Sequence, residues 1–244
     1  MLPKYHQRDK FIDYGIVEYD RSVIRGPIPK DKYFCCLGSA FTFGRYTANP
    51  YPSILSKLTN IPVLNLAGGA FAPQTYLNDF PNRIEDANKS LFAIVQIMSA
   101  RFSTNHKYTY AFEKPSKKVW KDNLEKSAIT QMVNESREKY ISDTQTLLNK
   151  IQVPLLVLYF SKRNPDYTES YENITSLFGN FPQLVNRDTL SRSVEGFSFI
   201  EVVSSEELPQ KLPNGKINNY YPSPQMHLKA AIALQEQLAA LNIV

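Results

Sequence analysis

Two arginines, one histidine and two glycine-bearing turns are the residues of this chain whose types and spacing could do chemistry. Gly38 and Gly44 bracket the segment Gly38-Ser39-Ala40-Phe41-Thr42-Phe43-Gly44, and Gly68 and Gly69 are adjacent in a second turn. Glycine at such places lets backbone amides approach a ligand closely. Arg45 follows the first turn, and Arg101 lies in a third polar segment, 98–105. A guanidinium offers a planar fork of donors suited to carboxylate, phosphate or sulfate. The competing reading of each arginine is a salt bridge that pins its loop. His227 stands near the start of the last helical stretch. An imidazole can carry a proton near neutral pH, and a hydrogen-bonded structural role is its other reading. His6 and His106 lie in polar stretches and have no comparable context.

These residues need a scaffold. Five short apolar runs, 33–37, 62–66, 91–97, 153–160 and 197–203, are separated by helical stretches. Continuous apolar runs fit strands buried on both faces. Helices are expected over 51–58, where Ile54, Leu55 and Leu58 share a face, over 134–151, and over 226–241. The last carries apolar residues at Leu228, Ala231, Ile232, Leu234, Leu238 and Leu241, the stripe of an amphipathic closing helix. Strand–helix alternation predicts a parallel sheet with right-handed crossovers. Ligands of such sheets bind outside the carboxyl ends of the strands. The loops to inspect are therefore 38–46, 67–73, 98–105, 161–167 and the one preceding the last helix.

The segment Gly38–Gly44 resembles the block GDSFTFG that opens SGNH (GDSL-type) hydrolases. It matches at Gly38, Phe41, Thr42, Phe43 and Gly44, but Ala40 stands at the position of the nucleophilic serine and Ser39 at that of the aspartate. Val63-Leu64-Asn65-Leu66-Ala67-Gly68-Gly69-Ala70 resembles the second block, whose glycine amide serves an oxyanion hole. The family's Gly-x-Asn-Asp turn is replaced by Met98-Ser99-Ala100-Arg101-Phe102-Ser103-Thr104-Asn105, and Pro224 stands where the aspartate of Asp-x-x-His would precede His227.

The resemblance covers about 32–241 and implies a three-layer α/β/α sandwich, flavodoxin-like and SGNH-hydrolase-like, with a five-stranded parallel sheet in the order 2-1-3-4-5. It implies Ser39 as nucleophile with the turn shifted by one residue, His227 as base, and Gly69 with Asn105 at the oxyanion. Gly38, Thr42, Arg45, Gly68 and Arg101 would line the substrate site. The implied activity is on acyl or related ester groups of a carbohydrate or other hydroxyl-bearing substrate. Two alternatives stand beside it. One is acyl or sulfo transfer from an anionic donor, CoA- or nucleotide-linked, without a protein nucleophile. The other is a catalytically degenerate domain that binds a glycan or metabolite. Phrases at 24–27, 181–185 and 220–227 are similar to those of a bacterial domain-of-unknown-function family loosely labelled sulfotransferase. The chain lacks the phosphate-binding motif Gly-x-x-x-x-Gly-Lys-Ser/Thr of ordinary sulfotransferases and kinases.

Composition narrows the partners. At 244 residues and 43% apolar content, the chain suits one large-cored domain. Residues 1–31 would be an N-terminal extension and 106–131 a lid or insertion. No run approaches the ~20 apolar residues of a membrane span, and the first ten residues lack the apolar core of a secretory signal. The expected location is cytoplasmic. Net charge is +5, with Lys107, Lys114, Lys117, Lys118 and Lys121 interleaved with Tyr108, Tyr110 and Trp120. A solvated face or lid explains that cluster better than nucleic acid, and a small molecule or glycan is the expected partner. Cys35 and Cys36 are adjacent in an apolar run, which points them to opposite faces of a strand and makes them small core residues. Composition leaves the oligomeric state open.

Overall fold

In a computed structural model the described residues are 9–103, 126–172, 174–204 and 209–244. The chain opens with a hairpin, β1 (Ile16–Tyr19) and β2 (Ser22–Arg25). Then follow β3 (Phe34–Leu37), the one-turn helix α1 (Ala40–Phe43), α2 (Tyr51–Thr59) and β4 (Val63–Asn65). A π-helical turn at Thr75–Asp79 precedes α3 (Asn82–Asn88) and β5 (Phe92–Gln96). The second half runs through α4 (Lys126–Lys150), β6 (Leu155–Ser161), α5 (Ile174–Phe178), α6 (Arg187–Ser193) and β7 (Phe199–Val203). A small ribbon, β8 (Gln210–Lys211) with β9 (Ile217–Asn218), leads into the closing helix α7 (Pro224–Ala240).

The main sheet has seven strands in the order β1-β2-β4-β3-β5-β6-β7. Its five central and distal strands, β4-β3-β5-β6-β7, pair in parallel and give the expected order 2-1-3-4-5. The strand count of five is corrected to seven, because residues of the supposed extension form a hairpin that adds antiparallel to β4 at Arg25↔Asn65. That hairpin escaped pattern reading because its two-residue loop is Asp20–Arg21, both at positive φ, 45° and 59°. Such primed turns ordinarily announce themselves with Gly or Asn.

Alternation along each strand divides the core. Phe34, Cys36, Ile94, Leu156 and Leu158 face α2 and α7, while Cys35, Leu37, Val95, Val157 and Tyr159 face the layer containing α3, α4 and α6. The three layers follow from strands buried on both sides. Cys35 and Cys36 belong to opposite clusters, and burial pushes the Cys35 thiol up to about 12. Neither sulfur is a reactive thiolate. The closing helix rotates relative to the predicted stripe. It buries Met226, Ala230, Leu234 and Leu238, spaced by four, and leaves Leu228, Ile232 and Leu241 exposed. Among the described residues no helix is long and apolar enough to cross a membrane.

Candidate functional site

The first turn is held from beneath by a polar network. The Gln96 side-chain oxygen, at the end of β5, accepts from the amides of Ser39 and Thr42, both at 3.2 Å, and from the Thr42 hydroxyl at 2.6 Å. The Thr42 hydroxyl is also 3.0 Å from the Tyr51 hydroxyl, and the Thr42 carbonyl accepts from Asn65 Nδ2 at 3.0 Å. Tyr76, on the π-helical turn, bridges the first two loops. Its hydroxyl accepts from the Gly38 amide at 2.8 Å and lies 2.8 Å from the Gly38 carbonyl and 3.3 Å from that of Leu66. Gly38 is sterically required. A Cβ there would sit 2.2 Å from Thr42 Oγ1 and 2.7 Å from Gln96 Oε1.

Two buried arginines fix the loops from the hairpin side. Arg25, on β2, donates to the carbonyls of Phe43 (3.2 Å), Gly44 (3.0 Å), Thr47 (2.9 Å) and Ala48 (2.6 Å). Burial lowers its pKa to about 10, so it remains a cation at neutral pH. Arg83, on α3, donates to the Leu66 carbonyl at 2.6 Å and stacks under the rings of Phe71 and Phe80.

Above this floor lies a cavity of about 260 Å³ at the carboxyl ends of the strands. The first loop contributes Ser39, Ala40, Phe41 and Arg45, and the second contributes Gly69, Ala70 and Phe71. Ser99 and Arg101 follow β5, Phe181 and Gln183 follow β6, and Tyr220 with Tyr221 come from the loop before α7. The aromatic wall is continuous, with ring centroids 4.3 Å apart for Phe41–Phe181 and 4.9 Å for Tyr220–Tyr221. Arg45 is braced by Asp9 at 3.3 Å, by Tyr221 Oη at 2.9 Å and by Tyr46 Oη at 3.0 Å. Burial alone would lower its pKa, but Tyr221, Tyr46 and Asp9 outweigh that and raise it. The Arg101 charge acts on Tyr220, whose pKa rises because burial outweighs that pull. No imidazole or carboxylate is among the described lining residues.

The structure therefore brings Ser39, Arg45, Gly69 and Arg101 to one cavity. Gly38, Thr42 and Gly68 lie underneath and shape the turns. Asn105 lies outside the described residues, as do His6, His106 and the basic segment 107–121. His227 is absent from the lining and fully buried against the rings of Tyr51 and Phe160. Its Nδ1 accepts the Tyr51 amide at 3.2 Å, which leaves the neutral ring's proton on Nε2. Burial, then the Arg25 charge, lowers its pKa to about 3. Ser39 is 2% exposed, and its hydroxyl has no hydrogen-bond partner. Sequence reasoning gave no site role to Phe71, Ser99, Phe181, Gln183, Tyr220 or Tyr221. The phrases at 181–185 and 220–227 held four of these, but their aromatic character reads equally well as core.

Comparisons agree with the architecture. The profile of a domain of unknown function (DUF6473) matches residues 2–111. Curated proteins give no match. Among solved structures, a protein from Lactobacillus plantarum aligns at TM-score 0.51 and 13% identity, over 86% of this chain and 97% of that one. A family two carbohydrate esterase from Clostridium thermocellum, solved with cellohexaose, aligns at TM-score 0.50 and 10% identity over 91% of this chain and 68% of that one. The salicylyl-acyltransferase SsfX3 of a tetracycline biosynthetic pathway aligns at TM-score 0.50 and 12% identity, over 89% and 57%. At such identities the likeness is one of fold alone: the chain is an α/β/α sandwich with a mostly parallel sheet.

Proposed function

We propose that the chain binds a small anionic organic molecule, a glycan derivative or related metabolite, in the cavity at the strand ends, and that it does so without a serine–histidine relay. The observation that carries this reading is the chemistry of the lining: two guanidiniums, a Gly-bearing turn and aromatic side chains, with no imidazole or carboxylate among the described lining residues. A hydroxyl nucleophile needs a base within hydrogen-bond reach. His227 is neutral and buried, and its Nδ1 is already engaged. Arg45, braced by Asp9, and Arg101 both line the cavity, and their positive field favours an anion there. Ligand pockets usually enclose roughly 300–1,000 Å³, so a cavity of about 260 Å³ suits one sugar-sized ring. Only the acyl end of a CoA-linked donor could enter.

A second reading, action on acyl esters through Ser39, is favoured by its partnerless hydroxyl and by a fold shared with a carbohydrate esterase and an acyltransferase. One pair of measurements separates the two. Hydrolysis of p-nitrophenyl acetate and of acetylated xylo-oligosaccharides is followed for the native chain and for Ser39→Ala, beside thermal shift with carboxylate, sulfate and phosphate probes. Binding predicts a rise in Tm with at least one anion, and ester turnover at background in both proteins. Turnover that disappears in Ser39→Ala would establish the esterase reading instead.

A further inference from the structure

We infer that Gln183 is the specificity-determining residue of this cavity and that it selects a hydroxylated carboxylate of single-sugar size, a sugar acid, over a plain carboxylate; the inference rests on the binding function proposed above. Gln183 is 3% exposed and lines the cavity. Its Nε2 donates to the Tyr220 hydroxyl, which orients the amide, and its Oε1 has no hydrogen-bond partner. The backbone holds it still: the Gln183 carbonyl accepts from the Ala100 amide at 3.1 Å and lies 3.4 Å from the Ser99 hydroxyl. A buried acceptor left unpaired costs free energy. That cost is recovered when a ligand supplies a donor, which a plain carboxylate or sulfate at neutral pH lacks and a sugar hydroxyl provides.

Neighbouring groups sharpen the match. Having accepted from Gln183, the Tyr220 phenol keeps its proton to donate, and burial holds that proton in place at neutral pH. The unpartnered Ser39 hydroxyl is a third polar contact on the same cavity. Acceptor, donor and hydroxyl beside aromatic faces suit a ring that is apolar on its face and hydroxylated at its rim. Arg101, on the same lining, complements a carboxylate on that ring.

The test compares D-glucuronate, cyclohexanecarboxylate and D-glucose by calorimetric titration against the intact native chain and against Gln183→Leu. Cyclohexanecarboxylate keeps the size and charge but has no hydroxyl; glucose keeps the hydroxyls but has no carboxylate. The expected result is that native protein prefers glucuronate over cyclohexanecarboxylate by about 10-fold or more, the scale of one buried hydrogen bond made or lost. Gln183→Leu should shrink that ratio toward one while still binding cyclohexanecarboxylate, which also shows that the variant is folded. Glucose should bind more weakly than glucuronate. Equal affinity of the native chain for the two carboxylates, or an unchanged ratio in Gln183→Leu, overturns the role of Gln183 but leaves anion binding standing. Absence of binding by all three, together with no thermal shift from any anion, overturns both. Because the native protein alone gives the ligand ratio, a Gln183→Leu chain that fails to fold leaves that part of the test intact.

Discussion

At position 227 an imidazole sits among aromatic rings, and this burial sets both its protonation and its consequences for stability. Its pKa falls from the ordinary 6.5 to about 3 in the folded chain. Between those values the unfolded chain binds a proton that the folded chain refuses. Stability from this group is therefore complete above pH 6.5 and declines as pH drops toward 3, by at most about 1.4 kcal/mol per pH unit. Urea unfolding midpoints between pH 7 and pH 4 should fall for the native chain, and the decline should be shallower in His227→Phe. At neutral pH His227→Phe should itself be destabilised by about 1–3 kcal/mol, because the buried Tyr51 amide loses its acceptor. An unaltered pH profile in the variant would mean that His227 titrates normally.

The first turn, Gly38 to Gly44, works as an element only because other elements hold it. Gly38→Ala drives a methyl into Thr42 Oγ1 and Gln96 Oε1. A destabilisation of about 1–3 kcal/mol is expected, typical of overpacking, and ligand-dependent thermal shift should weaken with it because the Ser39 amide shares the Gln96 oxygen. Arg25→Met removes a cation serving four carbonyls, two at the end of the same turn and two just beyond it. Leaving buried acceptors unpaired should cost about 3 kcal/mol or more, readable in urea unfolding. By contrast, Arg192→Ala breaks an exposed pair with Glu138 between α4 and α6 and another with Asp188 within α6. It should change stability by less than about 1 kcal/mol. A loss as large as that of Arg25→Met would contradict the distinction between buried and surface cations drawn here.

On the scale of the whole molecule, the hairpin is part of the main sheet. β2 adds to the sheet beside β4, Ile24 is fully buried, and Arg25 reaches the site loops. A chain lacking residues 1–31 should therefore lose at least about 3 kcal/mol. That is roughly 6–12 °C in Tm for a domain of this size. An unchanged Tm would return these residues to the status of an appendage.

The sequence by itself determined the layered parallel sheet and the loops in which to look, and its resemblance to SGNH hydrolases implied the 2-1-3-4-5 core order that the structure has. Apolar runs too long for one-sided strands require helices on both faces, and strand ends then gather the connecting loops. Arg45, Gly69 and Arg101 were legible because residue type and position after a strand coincide. Only the tertiary structure decided that His227 turns into the core, that Asp9 braces Arg45, and that Gln183, Tyr220 and Tyr221 close the cavity. Those outcomes depend on contacts between residues up to 176 positions apart, such as Arg45 with Tyr221 and Tyr51 with His227. Local periodicity carries no information about which of two buried faces such a side chain will meet. The hairpin was hidden for the opposite reason: its turn is local, but Arg21, a residue type that seldom takes a left-handed backbone, adopts one beside Asp20.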